Sequence, residues 1–397
     1  MKAGWQIRTL GEIFQIERGG SPRPIEKFIT DDVNGINWIK IGDTKNVTKY
    51  ISKTVEKIKP EGAKRSRVVN EGDFILSNSM SFGRPYIMKT TGCIHDGWLV
   101  LREKMSDIDK DFFYHLIGSD FVYAQFDSLA SGSTVRNLNI ELVKKVNVPF
   151  PPLPEQQRIV TILDEAFEGI ATATANAKKN LAYARELFES YLQSVFTNKG
   201  EGWVDKTIKD LTTILGDGLH GTPQYTIDGD YYFINGNNLS DGVIELKEST
   251  KRVSVDEFNR YKKNLTDRTI LVSINGTLGN VAFYNGEKVI LGKSACYFNL
   301  KDEVDKNFVK YILTSPYFLQ YAHKEATGAT IKNVSLKTMR EFKVPLPSYV
   351  EQQIIVNKLD TLNSETKKLE VIYQQKLFAL EELKKSILNQ AFSGQLN

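Results

Sequence analysis

The sequence predicts an α+β protein made of two similar halves, in which a mixed α/β domain is followed each time by a long helix. The first observation behind this prediction is an internal repeat. The segment that begins at Val148 returns 196 residues later from Val344, and the register holds to Phe196 and Phe392. The second observation is a sustained 3.5-residue spacing of apolar residues within the repeat, which is typical of helices that pack side by side over many turns.

Each copy of the repeat opens with prolines and then reaches the same Glu-Gln-Gln triplet. The first copy reads VPFPPLPEQQRIV and the second reads VPLPSYVEQQIIV. Proline fixes φ and lacks an N–H donor, so it suits an entry strand or a helix start. From Glu155 to Phe196 only Gly169 interrupts the run. The sequence therefore predicts a helix about 60 Å long at about 1.5 Å per residue.

The apolar stripe of the first helix steps alternately by three and four residues. Its members are Val160, Leu163, Phe167, Ile170, Thr174, Ala177, Leu181, Ala184, Phe188, Tyr191 and Val195. The second copy keeps the stripe less regularly, through Ile355, Leu359, Leu362, Leu369, Tyr373, Leu380 and Ile387. A solitary helix has nowhere to bury such a stripe, so we expect the two copies to pair. The alternative is two ordinary core helices in two ordinary domains.

The repeat extends beyond the helices, since Gly4-Trp5 is echoed by Gly202-Trp203. The chain is therefore predicted to alternate between variable domains and long helices. The predicted segments are 1–147, 148–199, 200–343 and 344–397. Expected strands in the first domain are 38–43, 73–77 and 97–103, and those in the second are 231–236, 269–274 and 296–300. A helix is expected from Asp111 to Ser128.

A short run near the end of each variable domain is retained in both halves. The run reads ASGSTVRN at 130–137 and ATGATIKN at 326–333, whereas the halves elsewhere differ in loop length and in almost every polar residue. A shared framework with diverged loops is expected when two modules dock alike but recognise different ligands. Neutral divergence after duplication is the alternative.

Composition limits the class of protein. The chain has 397 residues and a net charge of +4, which permits binding to a polyanion without requiring it. The only two cysteines, Cys93 and Cys296, lie far apart and lack metal-ligand spacing, which favours a reducing, cytoplasmic location. No signal peptide or membrane-spanning stretch is expected from the apolar pattern.

Signatures of a catalytic site are missing from the sequence. It contains no H-E-x-x-H or G-x-S-x-G motif, and its four histidines lack partners at metal-ligand spacing. The segment from Gly286 to Ser294 resembles a phosphate-binding loop, but five residues separate its glycines where that loop needs four. It has no asparagine-proline-proline-aromatic run of the sort that a DNA-adenine methyltransferase carries. Methyl transfer by this chain alone is therefore not expected.

Two alternative functions remain open at this point. Asp230, Glu245 and Lys247 have a spacing that could hold a nuclease metal ion, with the repeats acting as a targeting arm. The first half contains no equivalent set, and isolated short motifs often arise by chance. A coiled-coil scaffold without any role in DNA binding is the other alternative.

Basic residues flank equivalent predicted strands in the two halves, before 73–77 and 269–273 and in the turns after them. Lysine and arginine can neutralise phosphates, and arginine and asparagine can also pair with guanine and adenine edges. A solvated basic face is the alternative for any single residue. The candidate DNA-binding residues are Lys64, Arg65, Arg67, Arg84, Lys251, Arg252, Arg260, Lys262, Lys263 and Asn275.

The repeated proline and Glu-Gln-Gln entries, the Gly-Trp openings and the final ILNQAFSGQL together resemble a type I restriction-modification specificity (S) subunit over essentially the whole chain. The resemblance implies two target recognition domains, at 1–147 and 200–343, each reading half of a split DNA site. It implies that the helices form an antiparallel coiled-coil spacer within a pseudo-twofold body that docks two methyltransferase (modification) subunits. The S subunit is expected to be non-catalytic and to hold no cofactor.

The same resemblance assigns the chemistry to partner proteins. The modification subunits would bring S-adenosylmethionine, and restriction/translocase subunits, where present, would bring ATP and Mg²⁺. The resemblance supplies no base-contacting residues, because the loops that read bases match no motif.

Overall fold

The chain folds into two compact units that do not coincide with the halves of the sequence. In the computed structural model, unit 1 comprises Met1–Ala177 and Gln375–Asn397, and unit 2 comprises Lys178–Gln374. Each unit therefore contains one variable domain and a part of both long helices. The residues that the structure describes are 2, 4–78, 82–130, 137–328 and 330–396.

Short strands make up most of the first variable domain. They are β1 (Gln6–Thr9), β2 (Phe14–Arg18), β3 (Ile29–Thr30), β4 (Ile36–Ile39), β5 (Tyr50–Ile51), β6 (Glu56–Ile58), β7 (Arg67–Val69), β8 (Phe74–Ser77), β9 (Pro85–Met88), β10 (Gly92–Ile94), β11 (Trp98–Glu103) and β12 (Asn147–Phe150). One sheet has the order β2-β11-β8-β9-β5, a second has the order β3-β6-β4-β10-β7, and β1 pairs with β12.

The helices of the first domain are short, and the long helix follows β12 directly. They are α1 (Leu10–Ile13), α2 (Pro60–Ala63), α3 (Lys110–Ile117), α4 (Asp120–Ala130), α5 (Ile140–Lys144) and the long α6 (Leu153–Thr197). Single 3₁₀ turns occupy Ile25–Lys27 and Ile41–Thr44.

The second variable domain repeats this plan. Its strands are β13 (Val204–Thr207), β14 (Thr212–Asp217), β15 (Tyr225–Thr226), β16 (Tyr231–Ile234), β17 (Leu239–Ser240), β18 (Val243–Ile244), β19 (Arg252–Val253), β20 (Thr269–Ser273), β21 (Val281–Phe283), β22 (Val289–Leu291), β23 (Ala295–Leu300) and β24 (Lys343–Leu346). Its helices are α7 (Ile208–Leu211), α8 (Val255–Tyr261), α9 (Lys306–Thr314), α10 (Pro316–Glu325), α11 (Leu336–Glu341) and the long α12 (Tyr349–Ser393), with a 3₁₀ turn at Gly236–Asn238. Among the helices in the described ranges, none is long and apolar enough to cross a bilayer.

Equivalent strands pair in the same order in the two domains. The order β2-β11-β8-β9 in unit 1 matches β14-β23-β20-β21 in unit 2. The parallel pair β4–β10 likewise matches the parallel pair β16–β22. These pairings confirm that the internal repeat is a repeat of fold, although the sequence between its anchors has diverged.

The long helices confirm the predicted seam. All eleven stripe residues predicted on α6 are buried or partly buried. In unit 1, Arg158 donates to the Leu396 carbonyl at 2.9 Å, and the Lys384 ammonium lies 4.9 Å from the centre of the Phe167 ring. Residue numbers thus rise along α6 as they fall along α12, so the two segments are antiparallel.

Unit 2 shows the same antiparallel packing. Arg185 pairs with Glu370 at 2.7 Å, and Lys358 lies 5.1 Å from the centre of the Tyr191 ring. Each helix also ends on a repeated phenylalanine that packs edge-on against an equivalent phenylalanine of a variable domain. Phe392 contacts Phe112 in unit 1, and Phe196 contacts Phe308 in unit 2, with ring centres 5.6 and 5.5 Å apart.

Four local predictions were wrong, and in each case polar side chains account for the difference. Leu369 is 42% exposed, and the buried face of α12 passes through Thr366 and Glu370 instead, since Glu370 receives Arg185. The helix expected from Asp111 to Ser128 is two helices, because Ser119 caps the start of the second one.

The strands expected at 38–43 and 231–236 end early, at Ile39 and Ile234. In both places an Asp or Asn side chain accepts a hydrogen bond from the backbone three residues earlier and closes a 3₁₀ turn. Asp43 accepts from the Lys40 N–H at 2.7 Å, and Asn238 accepts from the Asn235 N–H at 3.0 Å.

The repeated Glu-Gln-Gln triplet fastens each long helix to its domain. The side chain of Gln156 is fully buried, accepts from the Asp109 N–H at 2.8 Å and donates to the Asp107 and Pro151 carbonyls. Gln352 makes the equivalent bonds with the Asp305 N–H and the Pro347 carbonyl. Asp109 and Asp305 cap the starts of α3 and α9. Each buried glutamine therefore links the first turn of a long helix to the start of a short helix in the variable domain.

The glutamate before each buried glutamine holds the opening of its domain. Glu155 pairs with Lys2 at 2.7 Å, and Glu351 accepts from the Trp203 indole at 2.8 Å. Glu155 accepts hydrogen bonds from Arg158 and from Lys2, and these bonds lower the pKa of the Glu155 carboxyl to about 2. The third member of the triplet, Gln157 or Gln353, is exposed.

Replacing Gln156 by alanine should destabilise the protein, because the partly buried Asp109 N–H and Asp107 carbonyl and the buried Pro151 carbonyl lose their partner. A buried polar group left unsatisfied costs about 1–3 kcal/mol. Denaturant unfolding followed by circular dichroism measures the change. The adjacent, exposed Gln157→Ala is the matched control and should change the free energy of unfolding by less than about 0.5 kcal/mol. Equal effects of the two variants would contradict the role of Gln156.

Candidate nucleic-acid interface

In unit 1 the first basic cluster lies between α2 and β7. Lys64 and Arg65 follow the last residue of α2, Arg67 is the first residue of β7, and all three are exposed. The Arg65 guanidinium lies 5.6 Å from the centre of the Phe28 ring, a contact that orients the group without neutralising it. Arg67 differs, because it forms an ion pair with Glu17 at 3.2 Å.

Arg84 lies between Gly83 and the start of β9. Gly83 has φ +74°, and a Cβ at this position would lie 2.9 Å from the Phe126 ring, so the turn requires glycine. The Arg84 N–H donates to the Ser77 hydroxyl at 3.0 Å, which fixes the backbone. Its exposed guanidinium lies 5.3 Å from the centre of the Tyr86 ring and donates to the Val47 carbonyl at 3.3 Å.

The main basic cluster of unit 2 lies at the end of α8. Arg260 is exposed and its guanidinium lies 5.3 Å from the centre of the Tyr261 ring. Lys262 is exposed and donates to the Asn259 side chain at 3.2 Å, and Lys263 is partly buried. Helix α2 follows β6 and α8 follows the equivalent strand β19, so this cluster and the Lys64 cluster occupy the same place in the repeated fold.

Of the other basic residues of unit 2, Arg252 has a basic counterpart in unit 1, Lys57, whereas Lys251 has none. Lys251 and Arg252 are exposed at the start of β19, which pairs antiparallel with β16 as β6 pairs with β4. In β6, Glu56 occupies the place of Lys251 and Lys57 occupies the place of Arg252. Arg252 lies 5.3 Å from the centre of the Tyr232 ring and donates to the Gly229 carbonyl at 3.5 Å.

Asn275 follows β20 and is partly buried. Its side-chain amide donates to the Asn333 side chain at 3.3 Å, so one of its two N–H groups is committed inside the protein. Apart from Arg67, none of the ten candidate side chains has a carboxylate ion-pair partner within the described ranges. Exposed cations and amides in this state can donate hydrogen bonds to phosphates and base edges.

The acidic set considered for a nuclease does not form a metal site. Glu245 is bound to Lys247 at 3.3 Å, and Asp230 is exposed. Within the residues that the structure describes, no group of three or more His, Cys, Asp or Glu side chains could hold a metal ion. The alternative of metal-dependent cleavage therefore has no support from the geometry.

Sequence reasoning missed the side chain that attaches the second domain to α12. Asp241 has φ 43° at the tip of the β17–β18 hairpin and pairs with Lys310 at 3.2 Å and Lys367 at 2.5 Å. Burial would raise the pKa of Asp241, but the two ammonium groups outweigh it and hold this pKa below its ordinary value. The Asp-Gly pair between two short strands is a hairpin signal that could have located the turn.

The family model for the type I restriction modification DNA specificity domain matches the chain twice, over residues 2–181 and 200–375. Together the two matches cover most of the sequence. The chain belongs to this family.

Type I restriction enzyme specificity subunits are among the proteins to which the chain is similar. It is 22% identical to the type I restriction enzyme MjaVIII specificity subunit of Methanocaldococcus jannaschii, over 99% of this chain and 93% of the relative. It is also 22% identical to the type I restriction enzyme EcoBI specificity subunit of Escherichia coli, over 72% of this chain and 66% of the relative.

Solved structures of the same family share the fold. The HsdS subunit from Thermoanaerobacter tengcongensis superposes with a TM-score of 0.66 at 20% identity, covering all of this chain and 98% of that one. A chain from a structural study of complex assembly in a type I restriction-modification system gives a TM-score of 0.79 at 20% identity, covering all of this chain and 99% of that one. The predicted arrangement of two domains and two long antiparallel helices is thereby confirmed for this member of the specificity family.

If the two basic clusters bind phosphates, each should contribute to DNA affinity and to its salt dependence. The triple replacement of Lys64, Arg65 and Arg67 by alanine should reduce the salt slope by about one unit for each phosphate that is no longer neutralised. Titrations of duplex DNA at several salt concentrations measure this slope. The equivalent replacement of Arg260, Lys262 and Lys263 should act through the other half-site.

A matched control removes the same charge from the long helices. Lys178, Lys179 and Lys376 are exposed on α6 and α12, and their replacement should leave the slope of DNA binding unchanged. If neither cluster variant differs from this control, the clusters are only a solvated basic face.

Proposed function

We propose that this chain is the sequence-reading subunit of a type I restriction-modification complex, in which each variable domain reads one half of a bipartite DNA site. The observation that carries the proposal is the duplicated fold with diverged loops. Both domains keep the same strand order and an exposed basic cluster at the same place, whereas their remaining polar surfaces differ. Two such modules in one chain would bind one duplex through similar backbone contacts and read different bases.

The exposed residues of the long helices support the docking of two copies of one partner, the modification subunit. Leu187 on α6 and Leu383 on α12 occupy equivalent places in the repeat and are 72% and 47% exposed. Each is preceded by a glutamate and followed three residues later by a serine. These two exposed leucines do not contribute to the buried seam. Two copies of one partner, each bound to one of the leucines, would explain why an exposed leucine recurs in both helices.

Grooves lined by residues of the same long helices also recur in the two units. In unit 1 a groove of about 570 Å³ lies between the α3–α4 junction and Glu382 and Lys385. In unit 2 a groove of about 480 Å³ lies between the α9–α10 junction and Glu189, which is the counterpart of Lys385. Equivalent grooves suit equivalent partners, and restriction/translocase subunits would join through those partners.

The chain itself is proposed to carry out no chemistry and to hold no cofactor. S-adenosylmethionine, ATP and Mg²⁺ would be bound by the partner subunits, and the complex would act on cytoplasmic DNA. The buried thiols are consistent with a structural role, since burial raises the pKa of both Cys93 and Cys296.

The purified chain, supplied with S-adenosylmethionine, ATP and Mg²⁺, should neither methylate nor cut DNA. With a modification subunit added, methylation should appear at one bipartite sequence. Sequencing of methylated adenines in plasmid DNA measures both outcomes. The double variant Asp230→Ala/Glu245→Ala is the control for the nuclease alternative and should behave as wild type. Metal-dependent cleavage by the chain alone, abolished in that variant, would refute the proposal.

Lengthening both long helices by one heptad should widen the unspecified gap between the half-sites. Insertions after Ala177 and after Tyr373 fall at or within one residue of the boundary between the compact units, so each unit should keep its core. Seven residues preserve the 3.5-residue seam and add about 10 Å, or about three base pairs at 3.4 Å each. Because three base pairs also rotate the second half-site, we expect a gain of two or three.

Methylation mapping with the modification subunit present measures the gap. Both half-site sequences should stay the same, since the insertions leave the variable domains untouched. A matched insertion in α6 alone should break the pairing of the helices and abolish activity. An active double-insertion enzyme with an unchanged gap would show that the helices do not set it.

A further inference from the structure

One exposed loop of unit 2 is retained in both halves of the sequence although it lies outside the core. The run ATGATIKN at 326–333 matches ASGSTVRN at 130–137, and residues 131–136 lie outside the described part of the chain. In unit 2, Thr327, Gly328, Thr330, Ile331 and Lys332 are all exposed. Packing within the domain therefore does not explain why these residues recur.

The loop is closed and fixed by backbone hydrogen bonds. Thr327 and Asn333 exchange two N–H···O bonds of 2.9 Å, which join its ends. Gly276 donates to the Lys332 carbonyl at 2.9 Å, and Val334 donates to the Ile274 carbonyl at 2.8 Å. These bonds hold the loop against the turn that follows β20, where Asn275 also lies.

Glycine is required inside the loop. Gly328 has φ +94°, and a Cβ at this position would lie 2.2 Å from the Ile331 carbonyl oxygen. A side chain cannot be placed there without moving the backbone, so the retained glycine preserves the shape of the loop. The described parts of the loop, 326–328 and 330–333, are therefore fixed before any ligand binds, which reduces the entropic cost of binding.

The exposed groups of the loop suit an anion. Lys332 supplies an ammonium group, Thr330 supplies a hydroxyl, and no acidic residue occurs between 326 and 333. Lys332 has no ion-pair partner among the described residues. The side chain of Ile331 is 60% exposed, which leaves room for an extended ligand beside these donors.

Retention in both domains limits which part of the DNA the loop can touch. Domains that read different sequences share no base contacts, but every sequence has the same sugar-phosphate backbone. A loop kept in both domains thus fits a ligand that both half-sites have in common. We propose that the 326–333 loop is a phosphate clamp, in which Lys332 and Thr330 bind the DNA backbone and fix the register of the second domain.

This inference rests on the proposed DNA-reading function and can be tested separately from it. In the complex with modification subunits, Lys332→Gln should reduce the salt slope of DNA binding by about one. The affinity should fall by the same factor for the specific site and for unrelated duplexes, and the methylated sequence should not change. Thr330→Val, which removes only a hydroxyl, should weaken binding to both DNAs equally with the slope unchanged.

Lys337→Gln is the matched control, because Lys337 lies five residues further on, in α11, with its side chain 79% exposed. It should leave both the slope and the affinity as in wild type. A wild-type slope for Lys332→Gln would overturn the clamp. So would weaker binding confined to one DNA sequence, or a failure to bind the modification subunit with DNA binding unchanged. A wild-type complex without any sequence preference would instead refute the proposed function.

Discussion

The fold depends on the burial of one apolar seam between two copies of the same helix. Near the middle of α6 the seam residues Ala177 and Ala184 are buried, and α12 runs antiparallel to α6. The consequence is that each compact unit contains segments far apart in sequence. Unit 1 is complete only when 375–397 has returned to the first domain, and Phe392 packs against Phe112 there.

Polar contacts then decide how each domain attaches to the helices. The buried Gln156 and Gln352 satisfy backbone groups that would otherwise lie unpaired in the interior, and a buried unpaired group costs more than one hydrogen bond contributes. Glu155 and Glu351 add a bond to the opening segment of each domain. In each Glu-Gln-Gln triplet the half-buried glutamate and the buried first glutamine thus have structural roles, whereas the second glutamine is exposed to solvent.

Residues that build the framework common to the two domains are retained in both, whereas many of the residues available for contacts with a ligand differ. Strand order and helix entries are the same in both domains because they build the same framework. A positive-φ glycine also follows β8 and its equivalent β20, namely Gly83 and Gly279. The basic residues are only partly alike. The clusters after α2 and α8 coincide and Arg252 matches Lys57, whereas Lys251 is replaced by Glu56. A protein that reads two different half-sites on one duplex needs this combination of common backbone contacts and distinct base contacts.

The sequence by itself determined the elements that depend on local pattern. The prolines and the 3.5-residue stripe located α6 within two residues at its start and one at its end, and the repeat predicted the second domain. The tertiary structure decided whatever depends on a distant partner. Leu369 is exposed because Glu370 meets Arg185, and Arg67 is paired because Glu17 lies beside it. Spacing along the chain carries no information about such contacts, since they join residues that are neighbours only after folding.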